Sequence, residues 1–272
     1  MTSKVAVITG AAGGLGAASV GALAARGWRV FAADLDPDAV ELREGVVPCR
    51  VDVTDVASVA RLCDDVQDAV DGVDAVVSFA GILAVGSLVE IEEAEFARVL
   101  EVNVMGTFRV NRGLFPLVRA RRGRFVTISS ETGWQTAMPF NGPYAMSKHA
   151  IEAYSDALRR EMALLGLHVV KIQPGPFRTA MVSGMQSRFT AAADHSTHFG
   201  GLLRRMLPFL VREQARAHDP SVLARVVVRA CEARHPRVAY SVRPEPTRRV
   251  LSWLPDGVVD RILKAALPRS AR

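Results

Sequence analysis

The chain has few cysteines and few aromatic residues, and it contains no hydrophobic run long enough to cross a membrane. Its three cysteines, Cys49, Cys63 and Cys231, are odd in number and scattered. This usage argues against a disulfide scaffold and favours reduced thiols. No apolar run nears the ~20 residues that a membrane-spanning helix needs. The first apolar strand pattern begins within a few residues of Met1, so we expect no signal peptide and a cytoplasmic location.

Interdomain linkers are also missing from the sequence. We find no stretch rich in proline, glycine or serine, no internal repeat and no low-complexity block. The 272 residues are therefore expected to form one domain, since an α/β fold can reach about 250 residues as a single unit. We assign residues 1–243 to its main body and residues 244–272 to a C-terminal helical extension of the same domain.

Positive charge is concentrated in the last third of the chain. Residues 1–180 carry 18 Lys/Arg and 21 Asp/Glu, a net charge of −3, whereas residues 181–272 carry 16 and 7, a net charge of +9. A nucleic-acid surface would combine basic clusters with aromatic stacking platforms. The arginines of this third are spaced and its aromatics are few, so we predict no nucleic-acid partner.

A strand, a glycine-rich turn and a helix open the chain. Residues 4–9 are apolar and β-branched, which predicts a buried strand. Gly10, Gly14 and Gly16 follow, and then an alanine-rich helical stretch. This arrangement presents backbone N–H groups and a helix N-terminus to a pyrophosphate. A flexible turn with no ligand is the alternative.

The second strand ends at an acidic residue. Asp34 lies close to the ~20-residue offset expected for a carboxylate that binds a ribose 2′-hydroxyl. Such a carboxylate repels a 2′-phosphate, and Leu35 rather than an arginine follows it. We therefore expect NAD in preference to NADP. The alternative is that Asp34 only caps the turn before Pro37.

A tyrosine and a lysine stand four residues apart in a predicted helix. Tyr144 and Lys148 would share one helix face, and a nearby positive charge favours the phenolate. A tyrosine tuned in this way exchanges a proton with an alcohol or a carbonyl near neutral pH. A surface pair without function is the alternative for this motif taken alone.

The ordered set of motifs resembles the short-chain dehydrogenase/reductase family, in its single-domain branch, over about residues 4–180. Helical stretches also alternate with the strands, as in a Rossmann-type, doubly wound parallel α/β sheet. The resemblance implies hydride transfer between a nicotinamide cofactor and an alcohol or ketone, with no metal. It implies a catalytic set of Asn103, Ser130, Tyr144 and Lys148. It implies cofactor contacts from Thr9, Gly10, Gly14, Leu15, Gly16, Asp34, Leu35, Asp52, Val53, Ala80, Gly81, Tyr144, Lys148, Pro174, Phe177 and Thr179.

Each catalytic residue has an implied role. Ser130 would orient the substrate oxygen, and Tyr144 would exchange a proton with it. Lys148 would lower the phenol pKa and bind the nicotinamide ribose. Asn103 would hold a water that links Lys148 to solvent.

The sequence departs from the family pattern at two places. Ser78 and Phe79 stand where two asparagines are usual, so the hydrogen bonds of the first asparagine do not carry over; Ser78 either replaces one of them or simply ends its strand. Ser130 precedes Tyr144 by 14 residues rather than the commoner 13. Ser130 is still preferred over Ser129, because Gly133 follows it at the family's distance and the two serines should face opposite ways.

Residues 181–216 fall where relatives place a mobile lid. Their many apolar side chains favour a bulky hydrophobic alcohol or ketone, with ordinary core packing as the alternative. Arg204 and Arg205 are interpreted as solvated rather than substrate-binding. We interpret His195 and His198 as surface residues, because no third metal ligand lies at a suitable spacing.

The C-terminal extension contains an amphipathic stretch from Asp256 to Leu267. We expect it to pack on its own domain or on a sister subunit, with attachment to a membrane surface as the less favoured alternative. The resemblance also implies a homodimer or homotetramer through the helices near 95–121 and 143–165. Two other function classes stay open: a dinucleotide-binding regulator without turnover, and a membrane-surface or scaffolding protein.

Overall fold

A computed structural model describes residues 3–266, and its centre is a sheet of parallel strands in the order β3-β2-β1-β4-β5-β6-β7. The strands are β1 (Val5–Thr9), β2 (Arg29–Asp34), β3 (Val46–Arg50), β4 (Ala75–Ser78), β5 (Arg124–Ile128), β6 (His168–Pro174) and β7 (Ala239–Val242). The order confirms the predicted doubly wound Rossmann-type fold. Strand β1 lies within the predicted residues 4–9, and β2 ends at Asp34 as predicted.

Helices cover both faces of the sheet. They are α1 (Gly14–Ala24), α2 (Val56–Ala69), α3 (Glu93–Leu100), α4 (Thr107–Ala120), α5 (Gly142–Ala163), α6 (Ala180–Ser183), α7 (Met185–His195), α8 (Gly200–Ala215), α9 (Pro220–Glu232), α10 (Pro246–Leu251) and α11 (Asp256–Ala266). The sequence pattern predicts one long helix near 92–121, but a π-helical segment, Glu101–Gly106, interrupts it between α3 and α4.

Two apolar layers enclose the sheet. Alternate β1 residues contribute to each layer: Ala6 and Ile8 pack in the layer that includes α1 and α9, while Val5 and Val7 pack in the layer that includes α2 and α4. Since both faces are covered, the strand reads as a continuous apolar run rather than an alternating one.

The strand order places a crevice between the carboxyl ends of β1 and β4. From β1 the chain proceeds outward to β2 and β3 and then returns to β4 on the other side of β1. The loops after β1 and β4 therefore leave the sheet in opposite directions. Ligands of open α/β sheets bind at such a switch point.

The lid region is helical and has its own apolar cluster. Helices α7 and α8 pack on each other, and Phe189, Leu203 and Met206 are buried with Leu83 and Phe140 from the sheet-edge loops. The lid thus packs internally, as the core-packing alternative expected, and it also borders the cleft described below.

The C-terminal extension forms α10 and α11, and Leu267 lies outside the described residues. Trp253 and Ile262 expose apolar surface, whereas Val259 is buried. Among residues 3–266 no helix is long and apolar enough to span a bilayer.

Candidate active site

A cleft of about 920 Å³ opens at the carboxyl ends of the central strands. One end lies beside Asp34 and Asp52, and the other lies beside Tyr144 and the lid. Its lining includes most residues predicted to bind a cofactor: Gly10, Gly14, Leu15, Gly16, Asp34, Leu35, Asp52, Val53, Ala80, Gly81, Tyr144, Lys148, Pro174, Phe177 and Thr179. The structure thus brings together residues from the whole first two-thirds of the chain.

The glycine loop is tight enough to require its glycines. Gly10 has φ +68°, and a Cβ at this position would lie 2.7 Å from the backbone nitrogen of Ala80. A Cβ on Gly16 would lie 2.0 Å from the carbonyl oxygen of Gly10. Thr9, the predicted residue that does not itself line the cleft, joins β1 to the β4 loop, because its Oγ1 accepts a hydrogen bond from the Ala80 N–H at 3.4 Å.

Asp34 borders the cleft with its carboxylate held by backbone groups. Its Oδ2 accepts a hydrogen bond from the N–H of Ala12 at 2.9 Å, and its Oδ1 accepts one from Asp36 at 3.2 Å. The side chain therefore does cap the following turn, as the alternative held, and it also orders the glycine loop. Leu35 beside it is exposed and carries no positive charge.

Asp52 is held ionised at the same end of the cleft. Its Oδ1 accepts hydrogen bonds from the Oγ1 and the N–H of Thr54, at 2.7 and 2.9 Å. These bonds hold the carboxyl pKa below its usual value. Val53 packs against Gly106 of the π-helical segment, where a Cβ would lie 2.6 Å from the valine Cγ2.

Ser78 does not replace the missing asparagine at the cleft. It is the buried last residue of β4, and its hydroxyl donates to Oδ1 of Asn111 in α4 at 3.4 Å. Of the two open alternatives, the structure favours the one in which Ser78 only ends its strand. Phe79 and Ala80 line the cleft instead.

Asn103 joins the β4 loop to the helix that carries the tyrosine. Its Oδ1 accepts from the N–H of Ile82 at 2.8 Å, and its Nδ2 donates to the Ile82 carbonyl and to the Ser147 Oγ, both at 2.9 Å. Both Nδ2 protons are thereby used. The Asn103 side chain thus ties the β4 loop to Ser147, the residue that precedes Lys148. The predicted role of Asn103 in holding a water that links Lys148 to solvent stays a prediction.

Ser130 and Tyr144 face each other across the cleft. With the extra residue in the loop between them, both side chains still line the cleft, and the Ser130 hydroxyl lies close enough to the phenol to lower its pKa. Ser129 also lines the cleft, and its Oγ lies towards Gly133, where a Cβ would be 2.5 Å from it. The preference for Ser130 as the substrate-orienting serine stays a prediction.

The phenol pKa of Tyr144 shifts in the opposite direction from the one expected. Burial raises it, and the hydrogen bond with Ser130 lowers it by less. Lys148 lies with its Nζ 5.5 Å from the tyrosine ring centroid and donates to the Ile128 carbonyl at 2.9 Å. Burial lowers the pKa of this ammonium group to about 8. Within the protein alone, desolvation therefore outweighs the effect expected from the lysine charge.

The segment after β6 closes the cleft beneath the lid. Phe177 is almost fully buried in the layer that includes α1 and α9. Thr179 accepts a hydrogen bond from the Val182 N–H at 3.4 Å and so caps α6, and its Cγ2 would lie 3.0 Å from a Cβ on Gly14. The cofactor contact predicted at Thr179 thus faces the glycine loop.

Arg188 is a cleft residue that the sequence did not single out. It donates from Nη1 to the Leu83 carbonyl at 3.0 Å and joins lid helix α7 to the β4 loop. Nothing in the sequence distinguishes Arg188 from Arg204, an arginine of the same region that forms a surface ion pair with Asp194 at 2.6 Å. Arg205, His195 and His198 are exposed. No metal-ligand cluster occurs in the described part of the chain.

These features fit a dinucleotide. At Gly10 and Gly16 the backbone forms the cleft wall, because a Cβ at either position would meet other backbone atoms. Such a bare backbone lets a pyrophosphate approach closely. A carboxylate stands at the ribose position of the fold, at the end of β2. Tyr144, Ser130 and Lys148 converge at the other end of the same cleft.

The family profile described as short chain dehydrogenase matches residues 4–188. Human retinol dehydrogenase 5 is 33% identical over 97% of this chain and 89% of its own length. Human 17-beta-hydroxysteroid dehydrogenase type 6 is 32% identical, over 100% of this chain and 91% of its own length.

Solved structures show the same likeness. A short chain dehydrogenase/reductase from Burkholderia phymatum, in complex with NAD, has a TM-score of 0.79 and 25% identity, over 99% of this chain and 98% of that chain. An actinorhodin polyketide ketoreductase with NADPH has a TM-score of 0.75 and 28% identity, over 88% of this chain and 95% of that chain. The family match, the sheet order and the cleft agree, and this chain is an oxidoreductase that belongs to the short-chain dehydrogenase/reductase family.

Proposed function

We propose that the protein transfers hydride between NAD and a bulky hydrophobic secondary alcohol or its ketone, with Tyr144 as the proton donor and acceptor. The observation that carries the proposal is the convergence of Tyr144, Ser130 and Lys148 at the apolar, lid-covered end of a dinucleotide-shaped cleft. A steroid-, retinoid- or lipid-like substrate suits this wall.

The substrate class rests on the lid and on the relatives. Leu83, Met181 and Val182 line the cleft, and the first two also belong to the lid cluster. The likeness to a retinol dehydrogenase and to a hydroxysteroid dehydrogenase covers nearly the whole chain and so includes this region.

Each residue of the proposed active site has a separate role. The Ser130 hydroxyl holds the substrate oxygen beside the phenol, and Tyr144 takes the alcohol proton in oxidation or gives one to the carbonyl in reduction. The ammonium of Lys148 stabilises the phenolate form. A nicotinamide cofactor, when bound, supplies the hydride chemistry. Gly10, Gly14 and Gly16 would hold its phosphates through backbone N–H groups.

The preference for NAD rests on Asp34. A carboxylate here accepts hydrogen bonds from a ribose diol and repels a 2′-phosphate, and exposed Leu35 supplies no countercharge. We expect Asp34→Ala combined with Leu35→Arg to move the ratio of NADH to NADPH affinity by about 10- to 100-fold towards NADPH, because a like-charge repulsion is replaced by an attraction. Asp38→Asn removes a nearby exposed charge and serves as the control.

The first test is a fluorescence titration of the purified protein with NADH and with NADPH, followed by a panel of hydrophobic secondary alcohols. Tight NADH binding with turnover of a bulky alcohol supports the whole proposal. Tighter NADPH binding contradicts the role of Asp34. Binding without turnover across a broad panel would favour the regulator alternative.

A further inference from the structure

The C-terminal extension docks directly on the turn that follows the catalytic serine. Glu131 lies next to Ser130 in the 3₁₀ turn Glu131–Gly133. Its Oε1 accepts from Arg248 Nη1 of α10 at 3.2 Å, and its Oε2 accepts from the Glu245 N–H at 2.6 Å. Arg248 also donates from Nη2 to the Thr132 Oγ1 at 3.3 Å.

The start of the extension is fixed beside the end of the sheet. A Cβ on Gly175, which follows β6, would lie 2.0 Å from the carbonyl oxygen of Arg243. Glu245 then caps α10 by accepting from the Arg248 N–H at 2.7 Å. The position of the Arg248 guanidinium is thus set by backbone packing and by a helix cap.

The ion pair is buried, which makes it costly to break. The Glu131 side chain is 7% exposed and the Arg248 side chain is 17% exposed. A buried ion pair adds little net stability, but loss of one partner leaves an uncompensated charge inside the protein. Burial also raises the pKa of the Glu131 carboxyl, while Arg248 and the Glu245 N–H act against that rise.

The pair is coupled to both reacting hydroxyl groups. The Ser130 Oγ accepts from the Thr132 N–H at 3.2 Å, so Arg248 and Ser130 hold Thr132 through different atoms. The charged groups that face Tyr144 are Lys148 from its own helix, Glu131 from the turn and Arg248 from α10. Glu131 favours the neutral phenol and Arg248 favours the phenolate.

We propose that Arg248 is a positioning residue of the active site: by holding Glu131 and Thr132 it fixes the turn that carries Ser130 and cancels the Glu131 charge that Tyr144 would otherwise meet. The C-terminal extension is then a part of the catalytic apparatus that completes it from outside the nucleotide-binding core. This inference rests on the proposed role of Tyr144.

Three variants separate the positioning role from a structural one. Arg248→Met leaves the Glu131 charge unopposed, and we expect the midpoint of Tyr144 ionisation to rise by about half a pH unit or more. Glu131→Gln leaves the guanidinium unopposed and should lower that midpoint. The double variant should return it close to the wild-type value, since both charges are gone.

Two measurements report the midpoint of Tyr144 ionisation. One is the pH profile of kcat/KM for alcohol oxidation in the full-length protein, with NAD and the best alcohol of the panel. The other is phenolate absorbance during a pH titration, which needs no substrate. The chain has three tyrosines, so subtraction of the Tyr144→Phe titration isolates the phenol of interest.

The matched control is Arg249→Met. Arg249 is the next residue of α10, and its guanidinium lies 5.6 Å from the ring of exposed Trp253 rather than in the active site. It should leave the midpoint unchanged. Equal midpoints in Arg248→Met, Glu131→Gln and Arg249→Met would overturn the proposal, even if Arg248→Met unfolds more easily.

The outcomes also separate this inference from the proposed function. If wild type turns over and the Arg248 and Glu131 variants share its pH profile, the positioning role fails while the proposed function stands. If wild type shows no turnover, the absorbance titration still decides whether Arg248 controls Tyr144.

Discussion

The chain divides into two regions that differ in charge, packing and family likeness. The first two-thirds form most of the dinucleotide cleft, and the last third includes the lid that covers it. Residues 1–180 have a net charge of −3 and residues 181–272 one of +9. The family profile ends at residue 188, but the likeness to retinol dehydrogenase 5 covers 97% of the chain. The family profile therefore covers the first region, and the likeness to individual relatives extends through the second.

Packing follows this division only in part. The two layers against the sheet are built mainly by the first region, but α9 of the last third adds Leu223 and Val227 to one of them. Helices α7 and α8 form a separate apolar cluster with Leu83, Val85 and Phe140. A separate cluster can open without unfolding the core. This arrangement suits a fixed cofactor site beneath a cover whose shape selects the substrate.

The largest expected effect tests whether the first region supplies the proton-transfer residue. Tyr144→Phe removes only the phenol oxygen, and we expect kcat to fall by about 100- to 10,000-fold, because proton transfer is lost. Cofactor affinity should stay near the wild-type value. Tyr240→Phe in β7 makes the same chemical change outside the cleft and should leave kcat unchanged. A rate above a few per cent of wild type in Tyr144→Phe would contradict the assignment.

Identical truncations in the two regions sharpen the comparison. Leu114 in α4 and Leu203 in α8 are both 0% exposed. Leu114→Ala should lower the free energy of unfolding by about 2–5 kcal/mol through lost burial and a cavity. Leu203→Ala should weaken mainly the lid cluster and raise KM for a bulky alcohol, with a smaller change in Tm. Equal losses of Tm in thermal denaturation would show that the lid and the core unfold as one unit.

A glycine pair tests the close approach inside the first region. Gly10 and Gly166 have nearly equal φ values, +68° and +69°, but a Cβ on Gly166 would meet nothing within 4 Å. Gly166→Ala should cost only the conformational strain, about 1–2 kcal/mol. Gly10→Ala should cost more in denaturant unfolding and should also weaken NADH binding, since Ala80 must move. Similar behaviour of the two variants would mean that the β4 loop gives way easily.

The smallest expected effect concerns the buried lysine. Because the folded-state pKa of Lys148 is about 8 and its ordinary value is ~10.4, the unfolded chain binds more protons between these values. Stability should therefore rise with pH across that window. Lys148→Met should stabilise the fold at pH 7 by on the order of 1–3 kcal/mol and should lose this advantage above about pH 10. Denaturant unfolding at pH 7 and pH 10 measures it, and equal differences at both pH values would contradict the burial argument.

Much of the fold was predictable because its signals are local. The apolar runs of β1 and β2 and the glycine spacing after β1 each fix a backbone conformation within a few residues. Tyr144 and Lys148 share a helix face by simple periodicity, and Asp34 follows a strand end. The π-helical segment around Asn103 was not predicted, since its sequence pattern is that of an ordinary helix.

The sequence by itself thus determined the α/β alternation, the glycine-rich turn after β1 and the shared helix face of Tyr144 and Lys148. Only the tertiary structure decided that Ser78 bonds within the fold, that Asn103 holds Ile82 and Ser147, and that Arg248 reaches the Glu131 carboxylate 117 residues away. It also decided the direction of the Tyr144 pKa shift. The physical reason is that hydrogen-bond partners and desolvation depend on contacts between residues far apart in sequence, and a local sequence pattern does not specify those contacts.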